Sequence, residues 1–115
     1  MSIKIYHNPR CSKSRQTLQL LNEHNVEPEI FEYLKTPPTA AELTDVLKML
    51  GIGPRELMRK KEAEYKESGA NNPELSDQQL IELMVQYPKL IERPIVIKDG
   101  KAALGRPPEL VLDIL

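Results

Sequence analysis

The sequence contains one cysteine, Cys11, so no disulfide can form within the chain. Secreted proteins of this length are typically held together by several disulfides, and that class is excluded. The chain also lacks an excess of basic residues, since 16 Lys and Arg stand against 17 Asp and Glu and the formal net charge is -1. Proteins that bind nucleic acids generally show a basic excess, so we expect no nucleic-acid partner.

Long apolar runs are missing as well. No segment is apolar over the roughly 20 residues that a membrane-spanning helix requires. The N-terminus, beginning Met1-Ser2-Ile3, lacks the charged and apolar regions of a signal peptide. We therefore expect a cytoplasmic protein that does not contact a membrane. With 115 residues the chain has room for one core, which predicts a single domain over 1–115. No exposed apolar helix face stands out, so we expect a monomer.

The first third of the chain predicts a strand, a helix and a second strand. Residues 3–6 alternate and are rich in β-branched side chains, residues 12–25 place leucines on one helical face, and residues 29–34 form the next apolar segment. A connection of this kind is right-handed, which predicts that the two strands are parallel.

The rest of the chain predicts helices and then a hairpin. Capping boxes at Thr39 and Ser76 each begin an amphipathic helix, and a short helix begins at Pro54. Residues 94–98 and 101–104 are predicted strands joined by the Asp99-Gly100 turn, and a last helix follows Pro107. This order resembles the thioredoxin-like architecture. It implies an α/β fold with a four-stranded mixed sheet and a helical insertion between the βαβ and ββα halves.

Cys11 lies where the first strand turns into the first helix, the place at which such folds carry their chemistry. A lone cysteine is more often a buried hydrophobe, but local features favour a nucleophile. Free N–H groups at a helix N-terminus favour the thiolate. The cationic or basic neighbours are His7, Arg10, Lys13 and Arg15, with no acidic residue between positions 2 and 19. They should lower the thiol pKa and attract anions.

The spacing Cys11-Ser12-Lys13-Ser14 places a serine where a dithiol oxidoreductase carries its second cysteine. A mixed disulfide at Cys11 would therefore need an outside thiol to resolve it, and Ser14 could instead donate a hydrogen bond to the thiolate. A phosphatase-type anion loop would need an arginine at position 17, where this chain has Thr17. The histidines and the cysteine of the chain are His7, His24 and Cys11. Three such side chains at this spacing are too few for a zinc site, so we expect no metal ion.

Arg93 precedes Pro94 at the start of a predicted strand. In thioredoxin-like folds this proline is usually cis and faces the active cysteine, so the residue before it lies at the site. An arginine there would direct a planar fork of donors at an anion held by Cys11.

Five segments together resemble the glutaredoxin-coupled arsenate reductase (ArsC-type) family. They share the order and spacing of that family and are residues 5–15 (IYHNPRCSKSR), 33–38 (YLKTPP), 55–60 (RELMRK), 91–96 (IERPIV) and 104–109 (LGRPPE). The resemblance implies that Cys11 is the nucleophile and that three arginines hold the oxyanion: Arg59, Arg93 and Arg106. It assigns supporting positions to His7 and Ser14, and we place Arg15 and Pro94 with them.

The resemblance further implies that the Cys11 thiolate attacks arsenate, that glutathione joins as a co-substrate, and that glutaredoxin completes the reduction to arsenite. No bound cofactor is then required. Two alternatives remain open. One is an Spx-like thiol-linked regulator that binds RNA polymerase, although Ser14 removes the second cysteine of a disulfide sensor. The other is a monothiol glutaredoxin-like oxidoreductase, which would not need three arginines to bind its glutathione disulfide.

Overall fold

The computed structural model describes residues 3–115. The regular elements within that range are β1 (Ile3–Tyr6), α1 (Ser12–Glu23), β2 (Glu29–Phe31), α2 (Ala40–Leu50), α3 (Pro54–Leu57), α4 (Ala63–Glu67), α5 (Asp77–Gln86), β3 (Ile95–Lys98) and β4 (Lys101–Leu104). Two 3-10 helices complete them, Pro88–Leu90 and Pro108–Ile114. The chain divides into two compact units. The first runs up to Thr36 and resumes with Arg93–Leu115, and the second is Pro37–Glu92.

The first unit contains a four-stranded sheet in the order β2-β1-β3-β4. β1 pairs with β2 in parallel, with Ile5 opposite Ile30, and pairs with β3 in antiparallel, with Ile5 opposite Val96. β3 and β4 form an antiparallel hairpin. At its turn Asp99 and Gly100 both have positive φ, as a two-residue hairpin turn requires. The predicted α/β fold with a mixed four-stranded sheet is confirmed.

The core of this unit lies between the sheet, α1 and the C-terminal 3-10 helix. Ile5 from β1, Leu21 from α1, Val96 from β3 and Val111 from the 3-10 helix form one cluster of fully buried side chains. This packing fixes α1 against the sheet and therefore fixes the direction of its N-terminus, where Cys11 lies.

The second unit is helical, as predicted. Thr39 and Ser76 each form a complete capping box at the start of α2 and α5. Gly51 ends α2 with φ 72°, a left-handed conformation that glycine adopts without a steric penalty. Buried apolar side chains from α2, α3, α5, the 3-10 helix Pro88–Leu90 and the two residues that pair in a β-bridge make its core: Leu43, Val46, Leu47, Leu57, Met58, Leu80, Ile81, Met84, Leu90 and Ile91.

Two elements differ from their predictions. β2 ends at Phe31 instead of Leu34, because the Tyr33 N–H bonds to the Phe31 carbonyl and the N–H groups of Lys35 and Thr36 bond to the Glu32 carbonyl. These turn bonds use donors that a longer strand would need. The last helix is 3-10 throughout, with Val111 buried and Leu110 exposed. Among residues 3–115, no helix has the length and apolarity that crossing a membrane demands.

Candidate active site

Cys11 occupies the N-cap position of α1, directly after the loop that leaves β1. Its backbone is extended, with φ -93° and ψ 124°, and its N–H donates to the Asn8 carbonyl at 3.0 Å. The side chain does not cap the helix and is 9% exposed. The sulfur is therefore largely covered by protein, and it lies where α1 presents backbone N–H groups that have no partner within the helix.

The pKa of the Cys11 thiol is below its ordinary value. Burial alone would raise it, because desolvation penalises the thiolate. Hydrogen bonds from the backbone N–H of Ser14 and of Lys13 stabilise the thiolate, and the Arg93 guanidinium adds its charge and a further hydrogen bond. These contributions outweigh burial, so the site favours a nucleophilic sulfur.

Ser14 supports the thiolate in a different way from the one its sequence position suggested. The hydrogen bond to sulfur comes from its backbone N–H, whereas its buried hydroxyl lies 2.7 Å from His7 Nδ1. The same hydroxyl oxygen accepts a hydrogen bond from the Asn8 N–H at 3.0 Å. Ser14 thus ties the β1–α1 loop to the first turn of α1.

His7 is buried, and its pKa lies below its ordinary value. Burial is the main cause, the Glu32 carboxylate opposes it, and the Arg15 guanidinium lowers the pKa further. The imidazole is therefore predominantly neutral near pH 7. A neutral ring has one donor and one acceptor nitrogen, so Nδ1 can either accept from or donate to the Ser14 hydroxyl.

Arg93 and Arg106 are brought together in the first unit, and Arg93 lies beside Cys11. The Arg93–Pro94 peptide bond is cis, as predicted, and the Arg93 side chain reaches the Cys11 sulfur. Arg106 follows β4, and its Nε donates to the Arg93 carbonyl at 2.9 Å. The Arg93 guanidinium and a thiol at a helix N-terminus form an arrangement suited to a small oxyanion.

Gly105, which the sequence did not single out, lies where three elements meet. Its N–H donates to the Pro94 carbonyl at 2.9 Å. A Cβ at this position would lie 2.6 Å from Thr17 Oγ1 on α1 and 2.7 Å from Pro94 Cγ. Only a glycine fits without displacing Pro94 or α1. The short segment Leu104-Gly105-Arg106 has no sequence pattern that would show that position 105 lacks space for a side chain, and it resembles any strand end that contains a glycine.

Arg59 lies in the second unit, directly after Met58, which pairs with Ile91 in a single β-bridge. Its Nη1 forms a short ion pair with Glu62, and its Nε lies 3.5 Å from Glu92 Oε1. All three side chains are partly exposed. The structure thus places Arg59 among carboxylates of its own unit.

The other cations expected around Cys11 act differently from the prediction. Arg15 Nη1 donates to the Pro9 carbonyl at 3.0 Å and so braces the loop. Lys13 contributes its backbone N–H to the sulfur. The cation that lowers the thiol pKa is Arg93, which is distant in sequence. Within residues 3–115, no three His, Cys, Asp or Glu side chains come together in a way that could hold a metal ion.

Comparison with known proteins agrees with this fold. The sequence matches the ArsC family over residues 6–114. It is 60% identical over 114 residues to the uncharacterized protein YfgD of Escherichia coli K12, covering 98% of this chain and 96% of that one. It is 48% identical over 114 residues to the arsenate reductase of Neisseria meningitidis serogroup A, covering 98% and 97%.

A solved structure, the arsenate reductase from Vibrio cholerae, superposes with a TM-score of 0.96 at 50% sequence identity, covering 100% of this chain and 98% of that chain. The βαβ and ββα halves, joined through the helical segment, are therefore a thioredoxin-like fold of the kind expected. The family match extends over almost the whole length of the sequence, from the end of β1 to the last 3-10 helix. The chain belongs to the ArsC family.

Proposed function

We propose that this protein is an arsenate reductase in which Cys11 is the nucleophile. The observation that carries the proposal is the thiol itself: its pKa is lowered by two backbone N–H groups of α1 and by Arg93. The relatives from Neisseria and Vibrio are named arsenate reductases, which supports arsenate as the substrate. Arsenate is a tetrahedral oxyanion, and an arginine-lined thiolate is the arrangement its reduction calls for.

In the first step the Cys11 sulfur attacks the arsenic atom. An S–As bond forms, and one arsenate oxygen takes up protons and leaves as water, so arsenic keeps its oxidation state. The Arg93 and Arg106 guanidinium groups neutralise the charge on the remaining oxygens. Arg59 is proposed as a third arginine for the oxyanion, a role that rests on the family resemblance.

The electrons come from thiols outside the chain. The sulfur of glutathione displaces a second oxygen as water and gives an arsenic atom bound to two sulfurs. A glutaredoxin thiol then attacks the glutathione sulfur, and the electron pair of the breaking S–As bond reduces the arsenic. One mixed disulfide forms and arsenite leaves Cys11 after hydrolysis, so two thiol sulfurs are oxidised for each arsenic reduced. No bound organic cofactor or metal takes part in this scheme.

Supporting roles follow from the contacts in the first unit. His7 and Ser14 hold the loop against α1, Arg15 braces Pro9, and Pro94 aligns Arg93 with the sulfur. We further propose that the protein works in the cytoplasm as a single-domain monomer, independently of nucleic acid and membranes.

The proposal is tested by measuring arsenite production by purified protein with arsenate, glutathione, glutaredoxin and a recycling system for oxidised glutathione. We expect arsenite from the wild type and none above background from Cys11→Ser. Lys101→Ala is the matched control, because Lys101 is exposed at the opposite end of the sheet from the β1–α1 loop. Wild-type protein that yields no arsenite with a competent glutaredoxin would contradict the proposal.

A further inference from the structure

Beside the β1–α1 loop the first unit has a cavity of about 210 Å³ that the reaction with arsenate does not use. Residues 7–10 of the loop form one wall. Glu32, Leu34 and Lys35, from the turn after β2, form the other. We refer to it below as the loop cavity.

Both walls are fixed by backbone hydrogen bonds. The His7 N–H donates to the Phe31 carbonyl at 2.9 Å and joins the two walls at the end of the parallel strand pair. The Arg10 N–H donates to Asn8 Oδ1 at 3.0 Å, and the Lys35 N–H donates to the Glu32 carbonyl at 3.0 Å. The loop cavity is therefore preformed and needs no rearrangement to accept a ligand.

The loop cavity is lined by the residues that directly precede the thiol-bearing residue Cys11. Cys11 directly follows Arg10, and its N–H bonds to the carbonyl of Asn8, which lines the cavity. The Asn8 N–H in turn bonds to the Ser14 hydroxyl. A molecule held in the loop cavity is therefore anchored close to Cys11, the residue with which it would have to react.

The lining has charges of both signs and an apolar portion. Arg10 and Lys35 are exposed cations, Glu32 is a carboxylate, and the Leu34 side chain is 36% exposed. Lys35 Nζ and Glu32 Oε1 lie 3.5 Å apart in a solvent-exposed pair. Such a pair contributes little on its own, so the charges of a ligand can replace it at small cost.

We propose that the loop cavity binds the peptide part of glutathione, with carboxylates at Arg10 and Lys35 and the ammonium group at Glu32. Glutathione has two carboxylates and one ammonium, which match two cations and one anion. The cavity is smaller than the roughly 300–1,000 Å³ of pockets that enclose drug-sized ligands. It therefore encloses only part of the tripeptide, and the two carboxylates, which lie at opposite ends of glutathione, meet the exposed side chains of Arg10 and Lys35. The inference rests on the proposed function in that it gives the glutathione step a binding site.

A disulfide-exchange experiment tests the loop cavity without arsenate. Glutathione disulfide reacts with the Cys11 thiolate so that one S–S bond breaks, a Cys11–glutathione disulfide forms, and one glutathione leaves as thiolate. Bis(2-hydroxyethyl) disulfide undergoes the same exchange and carries no charge. We expect Arg10→Ala and Lys35→Ala each to slow the reaction with glutathione disulfide about threefold, the order of an exposed ion pair. The rate with the uncharged disulfide should not change.

Lys101→Ala removes a positive charge at the far end of the same sheet and should leave both rates as in the wild type. Equal slowing with the two disulfides would show that the variants alter the thiol and would overturn the inference. If Arg10→Ala and Lys35→Ala react with glutathione disulfide at the wild-type rate, the inference is overturned too. The same holds if wild-type Cys11 reacts with the uncharged disulfide and not with glutathione disulfide.

In the arsenate assay, the same variants should raise the KM for glutathione and leave the KM for arsenate unchanged. Wild-type protein that produces no arsenite counts against the proposed function, whereas the exchange rates still decide whether the loop cavity recognises glutathione.

Discussion

The Cys11 sulfur accepts hydrogen bonds from two backbone N–H groups of α1 and from the Arg93 side chain. The two kinds of donor differ in what a substitution can remove. The backbone donors persist whatever side chains occupy positions 13 and 14, as long as α1 keeps its first turn. Arg93 supplies a full charge that a single substitution deletes. Part of the stabilisation of the thiolate therefore comes from the helix backbone and stays when side chains change, whereas the part from Arg93 can be removed by substitution.

Replacing Arg93 should raise the pKa of the Cys11 thiol and weaken arsenate binding. Arg93→Ala removes both the charge and the hydrogen bond, whereas Arg93→Lys keeps a charge but loses the planar fork, so we expect its thiol pKa to lie between those of Arg93→Ala and wild type. For Arg93→Ala the loss of arsenate affinity should be about 1.5–3 kcal/mol, the range for a hydrogen bond to a charged group. Because the chain has one cysteine, the rate of thiol alkylation against pH reports the titration of Cys11 alone.

Lys101→Ala serves as the control in that titration and should reproduce the wild-type curve. If Arg93→Ala titrates at or below the wild-type pKa, the electrostatic account of this thiol is wrong. The sequence predicted a lowered pKa from the helix N-terminus and from cations near position 11. It could not identify Arg93 as the effective cation from charge patterning alone, because the contact depends on how β3 pairs with β1.

At the scale of elements, sequence patterns predicted those helix boundaries that are set by contacts between residues close in sequence. The capping boxes at Thr39 and Ser76 are formed between residues three positions apart, and each appears where it was expected. The end of β2 and the 3-10 character of residues 108–114 were not predicted. Both are decided by which backbone donors find partners after the chain has folded, and residue type does not encode that competition.

The junction of α1, β3 and β4 is another feature that the sequence does not reveal. Gly105 lies at the end of β4 and contacts Thr17 of α1 and Pro94 ahead of β3. Arg93 and Arg106 flank this junction, and the Nε of Arg106 bonds to the Arg93 carbonyl. Close approach of these three elements therefore sets the positions of the two arginines and of the first turns of α1.

Gly105→Ala should destabilise the protein by about 1–3 kcal/mol, the usual range for adding a methyl group where there is no space. The new Cβ would lie well inside contact distance of Thr17 Oγ1 and Pro94 Cγ. Chemical denaturation measures the free energy of unfolding. The matched control is Gly53→Ala, where φ is -84° and the nearest atom, Glu56 Oε1, is 3.6 Å away. Equal losses for the two alanine variants would contradict the steric argument.

For the whole molecule, the dominant constraint on the proposed mechanism is that the chain supplies one thiol to a reaction needing two electrons. The chain has no other cysteine with which Cys11 could form a disulfide. Ser14, at the position of a second cysteine, is committed to His7 and Asn8 through its hydroxyl. The proposed dependence on outside thiols could be inferred from the sequence alone, because the inference starts from a residue count and needs no tertiary contact.

Omitting glutathione should therefore stop the reaction after the first covalent step. With arsenate alone, we expect at most one arsenic atom bound per chain, detectable as a mass increase that Cys11→Ser lacks, and no arsenite in solution. Adding glutathione without glutaredoxin should extend the adduct by one glutathione, and glutaredoxin should then release arsenite. Protein at low concentration is required, since two chains could otherwise supply two Cys11 thiols to one arsenic atom. Arsenite released by dilute protein and arsenate alone would mean that Cys11 itself provides both electrons, ending as a sulfenic acid or an intermolecular disulfide, and would contradict the proposed need for glutathione.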